Sequence, residues 1–284
     1  MTLQQRNNSR DTCSPFRGSI RKSYITIVNF RHRSYQSELL DRPDIPFEDI
    51  RRNMQELNFI NTWLGGHAIT VTGVKALVER LQSAPAADVL AKVASTAEAS
   101  AKAVTICEIG CGGGDNLAAI QKWCKKKNIP VAFIGIDINR HCIDVASKRA
   151  LANTQLIHSD YKDARLEKQP DIIFSSLFCH HFSDREMVKQ LQWMKSNARV
   201  GFFINDLHRH KVAYYSIKVL TKLFSNSYLV KHDAPLSVAR GFTKEEWLQF
   251  FNFAGISNFS IEWKWAFRWL VVYRNADPVN MKPE

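Results

Sequence analysis

The run from Val104 to Leu117 constrains this chain more than any other, because it carries a buried strand through a glycine turn into a helix. The apolar alternation that ends at Ile109 suits a central parallel strand. Gly110, Gly112 and Gly114 then let the backbone turn tightly and bring a ligand close to the main chain, with a helix N-terminus predicted at about Asn116. Such a unit is a nucleotide-type cofactor site. The glycines alone fit a dinucleotide-binding fold equally well.

What surrounds the glycines separates the two readings. Glu108 sits at the strand end, where a pyrophosphate would meet a negative charge, whereas S-adenosylmethionine has no phosphate and its methionine part carries an ammonium group. With Glu108-Ile109-Gly110-Cys111-Gly112-Gly113-Gly114 the chain resembles the class I methyltransferases, whose first motif reads acidic-x-Gly-x-Gly-x-Gly. Two further matches follow in order. The strand Val131 to Asp137 ends in the acidic residue that grips ribose hydroxyls, and Leu156 to Tyr161 brings Asp160 to the place of the residue near the adenine amino group.

The resemblance covers about residues 104 to 206 and implies S-adenosylmethionine as cofactor. The implied fold is α/β: a doubly wound seven-stranded sheet, the Rossmann-like methyltransferase fold, with a C-terminal antiparallel hairpin and an N-terminal helical cap. Glu108, Gly110, Gly112 and Gly114 are expected to meet the methionine and ribose parts. Asp137 is expected to hold the ribose hydroxyls, since a carboxylate accepts two hydrogen bonds at once. Ile138 covers one adenine face, Asp160 with Tyr161 beside it receives the adenine amino group, and Leu177 completes the cofactor set.

At 284 residues the chain has room for one large α/β domain and a cap. The expected boundaries are a disordered lead over residues 1–33, a helical cap and linker over 34–103, and the methyltransferase domain over 104–276. The formal charge of +12 raises the question of nucleic acid, but the cations are scattered from Arg51 to Lys218 and no RNA-binding module shows. Lys122 and Lys125 to Lys127 flank Trp123 at a helix end, a solvated face that suits the dipole. The six cysteines (13, 107, 111, 124, 142 and 179) form no Cys-x-x-Cys pair and no metal-ligand spacing, and read as reduced thiols of a cytoplasmic protein. No apolar run approaches the length of a membrane span.

Along the chain, Ile50, Met54, Leu57, Ile60 and Leu64 predict a helix stopped at Gly65-Gly66, and Val71, Val74, Leu77, Val78 and Leu81 a second. These helices fold over the cofactor as a lid or pack against the sheet edge; both readings stand. Ala84 to Ala103 reads as a loose helix or linker. Helices are then expected over 115–127 and 139–152, the fourth strand over Asp171 to Phe178 and the fifth over Val200 to Asp206. Ser183 and Thr243 open capping boxes, the helix bearing Val212, Val219, Leu220 and Leu223 roofs the substrate side, and Ile256 to Trp263 with Ala266 to Tyr273 form the hairpin.

Methyl transfer from a sulfonium needs alignment of the acceptor and removal of its proton. Histidine suits the second task, so His180 or His181 after the fourth strand is a candidate base, and Asp206, His208 and His210 form a second polar group beside them. The turn carries no Asn/Asp-Pro-Pro-aromatic motif, which argues against amine methylation of adenine or glutamine. The histidine turn, Asn205 to His210 and Trp265 to Leu270 resemble bacterial small-molecule methyltransferases related to quinone-ring methylating enzymes, some of which accompany polyketide pathways. The acceptor so implied is a small aromatic, quinone-like or polyketide molecule, methylated on oxygen or carbon. An RNA or protein methyltransferase and a cofactor-binding subunit without activity of its own are the alternatives.

Overall fold

A computed structural model describes residues 28–83 and 103–275. The expectations for residues 1–27 and for most of the alanine-rich stretch lie outside the described residues.

Seven strands form one sheet: β1 (Val104–Ile109), β2 (Val131–Asp137), β3 (Thr154–His158), β4 (Ile172–Ser176), β5 (Gly201–Leu207), β6 (Phe259–Lys264) and β7 (Arg268–Arg274). Their order is β3-β2-β1-β4-β5-β7-β6. The strands pair in parallel through β5, and β7 runs antiparallel between β5 and β6. This is the doubly wound sheet with a C-terminal hairpin that the strand pattern predicted. The order reverses between β1 and β4, which opens a crevice beyond their carboxyl ends.

Alternate residues of the central strands enter two separate cores, as a sheet covered on both faces requires. Ile106, Phe133, Phe174, Phe203 and Val272 pack under helices α2 (Gly66–Ser83) and α3 (Asp115–Lys126). Cys107, Ile134, Ile173, Phe202 and Val271 join Met187, Leu191 and Met194 of α5 (Asp184–Asn197) and Trp247, Phe250 and Phe251 of α8 (Lys244–Phe253) on the other face. The capping boxes at Ser183 and Thr243 both form.

The N-terminal helices divide the two readings between them. The first, α1 (Phe47–Trp63), borders the crevice with Ile50 and Met54, whereas Val74, Leu77 and Val78 of α2 are buried on the sheet. Gly65, at φ +76°, makes the turn between them.

Several boundaries differ from expectation. Helix α4 spans only Arg140–Ser147 rather than 139–152, since Ala150 and Asn153 take left-handed backbone and Arg149 reaches back to the Gly113 carbonyl. The fourth strand stops at Ser176 because Leu177 turns to φ 52°. Helix α6 (Lys211–Phe224) is followed by α7 (Tyr228–Arg240), which the sequence pattern concealed because Pro235 lies inside it. No helix among the described residues is long and apolar enough to cross a membrane.

Candidate active site

The glycine turn after β1 has the conformation its sequence demands. Gly110, Gly112 and Gly114 all have positive φ, and a Cβ on Gly110 would lie 2.2 Å from the Phe178 ring. Gly110→Ala is therefore expected to destabilise the fold by about 1–3 kcal/mol, read as a lowered thermal midpoint; an unchanged midpoint would contradict this packing.

The turn forms one wall of a cavity of about 670 Å³ beyond the carboxyl ends of β1 to β4. Gly110, Gly112, Asp137, Ile138, Asp160, Tyr161 and Leu177 line it. Asp137 is locked in place, with Oδ2 accepting from Gly112 N and Oδ1 from Asn139 N, both at 2.8 Å. Each oxygen keeps a lone pair for a ligand hydroxyl. Burial pushes the Asp137 carboxyl up, against those two bonds. Ile138 is 68% exposed. Asp160 Oδ1 accepts from Lys162 N at 3.0 Å, and the Tyr161 ring packs edge-on against Phe178, Phe182 and Trp193.

Two of the expected residues stand apart from the cavity surface. Gly114 caps α3 behind the turn. Glu108 is fully buried beneath it; Oε1 accepts from Asn116 Nδ2 at 2.9 Å, while Oε2 has no partner. Burial raises the Glu108 carboxyl well above its usual range, with Asp115 adding to the effect. Asn116, Asp115 and Asn61 line the cavity and were not among the expected site residues, and Met54 of α1 lines it as well. Asp115 Oδ2 meets His67 Nε2 at 2.7 Å; burial opposes its charge, but His67 holds the carboxyl below its usual value.

A second cavity of about 320 Å³ adjoins the first, sharing Leu40, Leu57, Asn61, Leu177 and His181 with it. Its walls are mainly apolar, from Ile60, Leu64, Leu207, Ile217, Leu220, Val230 and Phe267. Polar groups break the apolar surface, Arg268 among them. Arg268 is buried, donates through Nη2 to Asn61 Oδ1 at 2.9 Å, and has no partner for Nε or Nη1. Burial lowers its guanidinium to about 10. His180 and His181 are the other pair, with Glu38 beside them.

The two histidines have different surroundings. His180 is 2% exposed, with Nδ1 against Asp206 Oδ1 at 2.7 Å. Burial disfavours its charge, yet Asp206 and Glu38 raise it to about 9. Asp206 in turn accepts from Leu207 N at 2.7 Å, Cys179 N at 2.8 Å and Phe178 N at 3.2 Å, so it braces the histidine turn and lines neither cavity. His181 is 22% exposed on its side chain and faces both cavities. The structure does not bring His208 or His210 to either one. His208 packs against Trp269 and accepts from Trp263 Nε1, and His210 caps α6.

Glu38 reaches this site through a strap before α1. Arg33 binds Asp184 at 2.7 Å and the carbonyls of Phe182 and His180, Arg240 Nε donates to His180 O at 3.0 Å, and Asp233 accepts from Leu39 N and Leu40 N. The cysteines in the described residues (107, 111, 124, 142 and 179) are free and buried.

Residues 106–201 match the family model of a methyltransferase domain. No curated protein matches the chain. Among solved structures, the plantazolicin methyltransferase BpumL, crystallised with a triazolic desmethylPZN analog and S-adenosylhomocysteine, is similar at 16% identity over 80% of this chain and 97% of its own, with a TM-score of 0.52. Human N-acetylserotonin methyltransferase, in complex with S-adenosylmethionine, is 12% identical over 82% of this chain with a TM-score of 0.51, and the match spans 57% of that enzyme. A possible exported protein from Bordetella parapertussis is 13% identical over 64% of this chain and 65% of its own, at a TM-score of 0.47. At these identities the likeness is one of fold, and the chain spans less than two thirds of the length of the last two.

Proposed function

We propose that this chain, an S-adenosylmethionine-dependent methyltransferase, methylates an oxygen or carbon of a small aromatic acceptor held in the second cavity. The carrying observation is the junction of the two cavities at Leu177 and His181, with the cofactor motifs on one side and apolar walls on the other.

The residues present fit the cofactor. The glycine turn leaves a cradle that side chains would fill, Asp137 offers lone pairs at the end of β2, and the buried Glu108 holds Asn116, which lines the cavity, through one oxygen while the other is unpartnered. Bound there, the sulfonium supplies the methyl group. The chain's own residues then orient and deprotonate. Asp137 and Ile138 hold the ribose and adenine end, Asp160 and Tyr161 bound the adenine pocket, and Leu177 separates cofactor from acceptor. His181, open to both cavities, is placed to take the acceptor proton at its junction with Glu38.

The composition of the second cavity supports an aromatic acceptor with an acidic hydroxyl. Aliphatic walls suit a flat apolar ring, and the two unpartnered directions of the Arg268 guanidinium favour an oxygen that carries negative charge. The plantazolicin methyltransferase of similar fold was crystallised with a triazolic desmethylPZN analog and S-adenosylhomocysteine.

Calorimetric titration of S-adenosylmethionine and S-adenosylhomocysteine tests the first half of this reading. The wild type is expected to bind both, and Asp137→Ala to weaken binding by about 1–3 kcal/mol, roughly fivefold to 150-fold. No binding by the wild type would sink it. The second half is tested by mass-detected methyl incorporation across small phenols and hydroxyquinones, with bulk RNA as comparator; incorporation into RNA alone would refute the small acceptor.

A further inference from the structure

The sequence shows no metal-ligand spacing, yet the fold carries Glu38 against the His180-His181 pair. One nitrogen from each histidine and one Glu38 oxygen lie within 4.8 Å of one another. His180 Nε2 stands 3.5 Å from Glu38 Oε1, and His181 Nε2 stands 3.8 Å from Glu38 Oε2. These gaps are wide for a hydrogen-bonded ion pair, whereas the same His180 ring closes to 2.7 Å on Asp206. They approach the separation of neighbouring ligands around one ion, because nitrogen and oxygen ligands about 2.0–2.2 Å from a tetrahedral zinc lie roughly 3.3–3.6 Å apart.

We infer that Glu38, His180 and His181 form a binding site for a divalent transition-metal ion of the zinc type, at the meeting of the two cavities. Both imidazoles are turned for it. His180 Nδ1 faces Asp206 at 2.7 Å and His181 Nδ1 faces Asp41 at 3.1 Å. A proton on each Nδ1 satisfies those carboxylates and leaves both Nε2 lone pairs directed at Glu38. A carboxylate behind each ligating histidine is the usual way in which metal sites fix the ring and its tautomer.

The local charge also suits an ion. Glu38, Asp41 and Asp206 bring three carboxylates together, and Arg240 is the guanidinium shared among them, 4.0 Å from Glu38 and 3.9 Å from Asp41. Arg33 is matched by its own partner, Asp184. Arg268, buried on the same cavity and attracted to Asp206, is a second guanidinium, and the three carboxylates still outnumber the two, so added positive charge is favoured. Three protein ligands leave a fourth tetrahedral position, and all three line the second cavity, so that position opens toward the acceptor. Magnesium and calcium are poorly served, since both seek more ligands and mainly oxygen.

An ion here occupies His181 Nε2, so that ring takes the acceptor's proton only in the metal-free chain; the test of the site uses neither cofactor nor acceptor. The full chain is stripped with chelator, exposed to zinc alone or magnesium alone, and analysed by elemental mass spectrometry and competitive titration. About one zinc per chain and no magnesium are expected, with zinc affinity at least tenfold lower in Glu38→Gln and His181→Ala, each checked for native circular dichroism. In the wild type, cobalt(II) is expected to give the visible absorption of a low-coordinate nitrogen and oxygen site. That measurement needs no variant to fold. A wild type that retains no zinc and shows no such cobalt spectrum, or folded variants that keep wild-type zinc affinity, would overturn the inference.

Discussion

Asp206→Ala is expected to cost about 3–5 kcal/mol of stability, the range for breaking a buried charge pair by removing one partner. Asp206 is fully buried and takes the His180 imidazole together with the backbone N–H groups of Phe178, Cys179 and Leu207. Although burial works against its charge, His180, the Leu207 N–H and His181 hold the carboxyl below its usual range. Alanine would leave four donors facing a void, and the His180 ring would lose what fixes it. For a domain whose whole stability is on the order of 5–15 kcal/mol, that is a large fraction. Urea denaturation of wild type, Asp206→Ala and Asp206→Asn measures it. Asparagine, which keeps the shape and part of the hydrogen bonding, should lose less than alanine. A loss below about 1 kcal/mol for alanine, typical of an ordinary surface change, would mean that Asp206 does not brace the turn.

The cofactor half of the site was legible because its signals are local. A strand period, three glycines at fixed offsets and an acidic residue ending the next strand place Gly110, Gly112 and Asp137 together in any fold built on that unit; the alternation of strands with helices gives the α/β class, and the seven-stranded arrangement is what the family resemblance implied. The acceptor half depends on long-range contacts. Glu38 stands in a polar stretch with no period, and Arg240 and Asp233, from distant parts of the chain, seat its strap against His180, with Arg33 of the same strap bonded to the Arg240 carbonyl. Helix α7 was hidden by Pro235, which removes a backbone donor within an otherwise apolar run. His208 and Asp206 are near neighbours in sequence on β5 and the turn after it, yet the strand and the antiparallel β7 send one into the core and the other to the hairpin edge. Spacing in sequence placed both histidine groups after the correct strands; only side-chain packing distinguishes the one that reaches the cavities.

That distinction gives the last expected result. His181→Ala should lower kcat by about 10²–10⁴-fold, the usual contribution of a positioned proton acceptor, while S-adenosylhomocysteine affinity changes less than about threefold, well under the 1.4 kcal/mol that a tenfold change represents. The prediction rests on where the ring lies. His181 borders both cavities beside Leu177; its partner Glu38 lines only the acceptor-side cavity, and its partner Asp41, on the rim of the cofactor cavity, makes no bond to Asp137. Its removal therefore leaves the Asp137 bonds to Gly112 and Asn139 untouched. Steady-state kinetics with the best acceptor from the phenol and hydroxyquinone panel, alongside calorimetry of the cofactor product, separates the two effects. His208→Ala, at the hairpin edge and outside both cavities, should leave kcat within about threefold, in keeping with a residue that touches no reacting group. If His208→Ala were the damaging change and His181→Ala the silent one, the junction of the cavities would not be where the proton leaves.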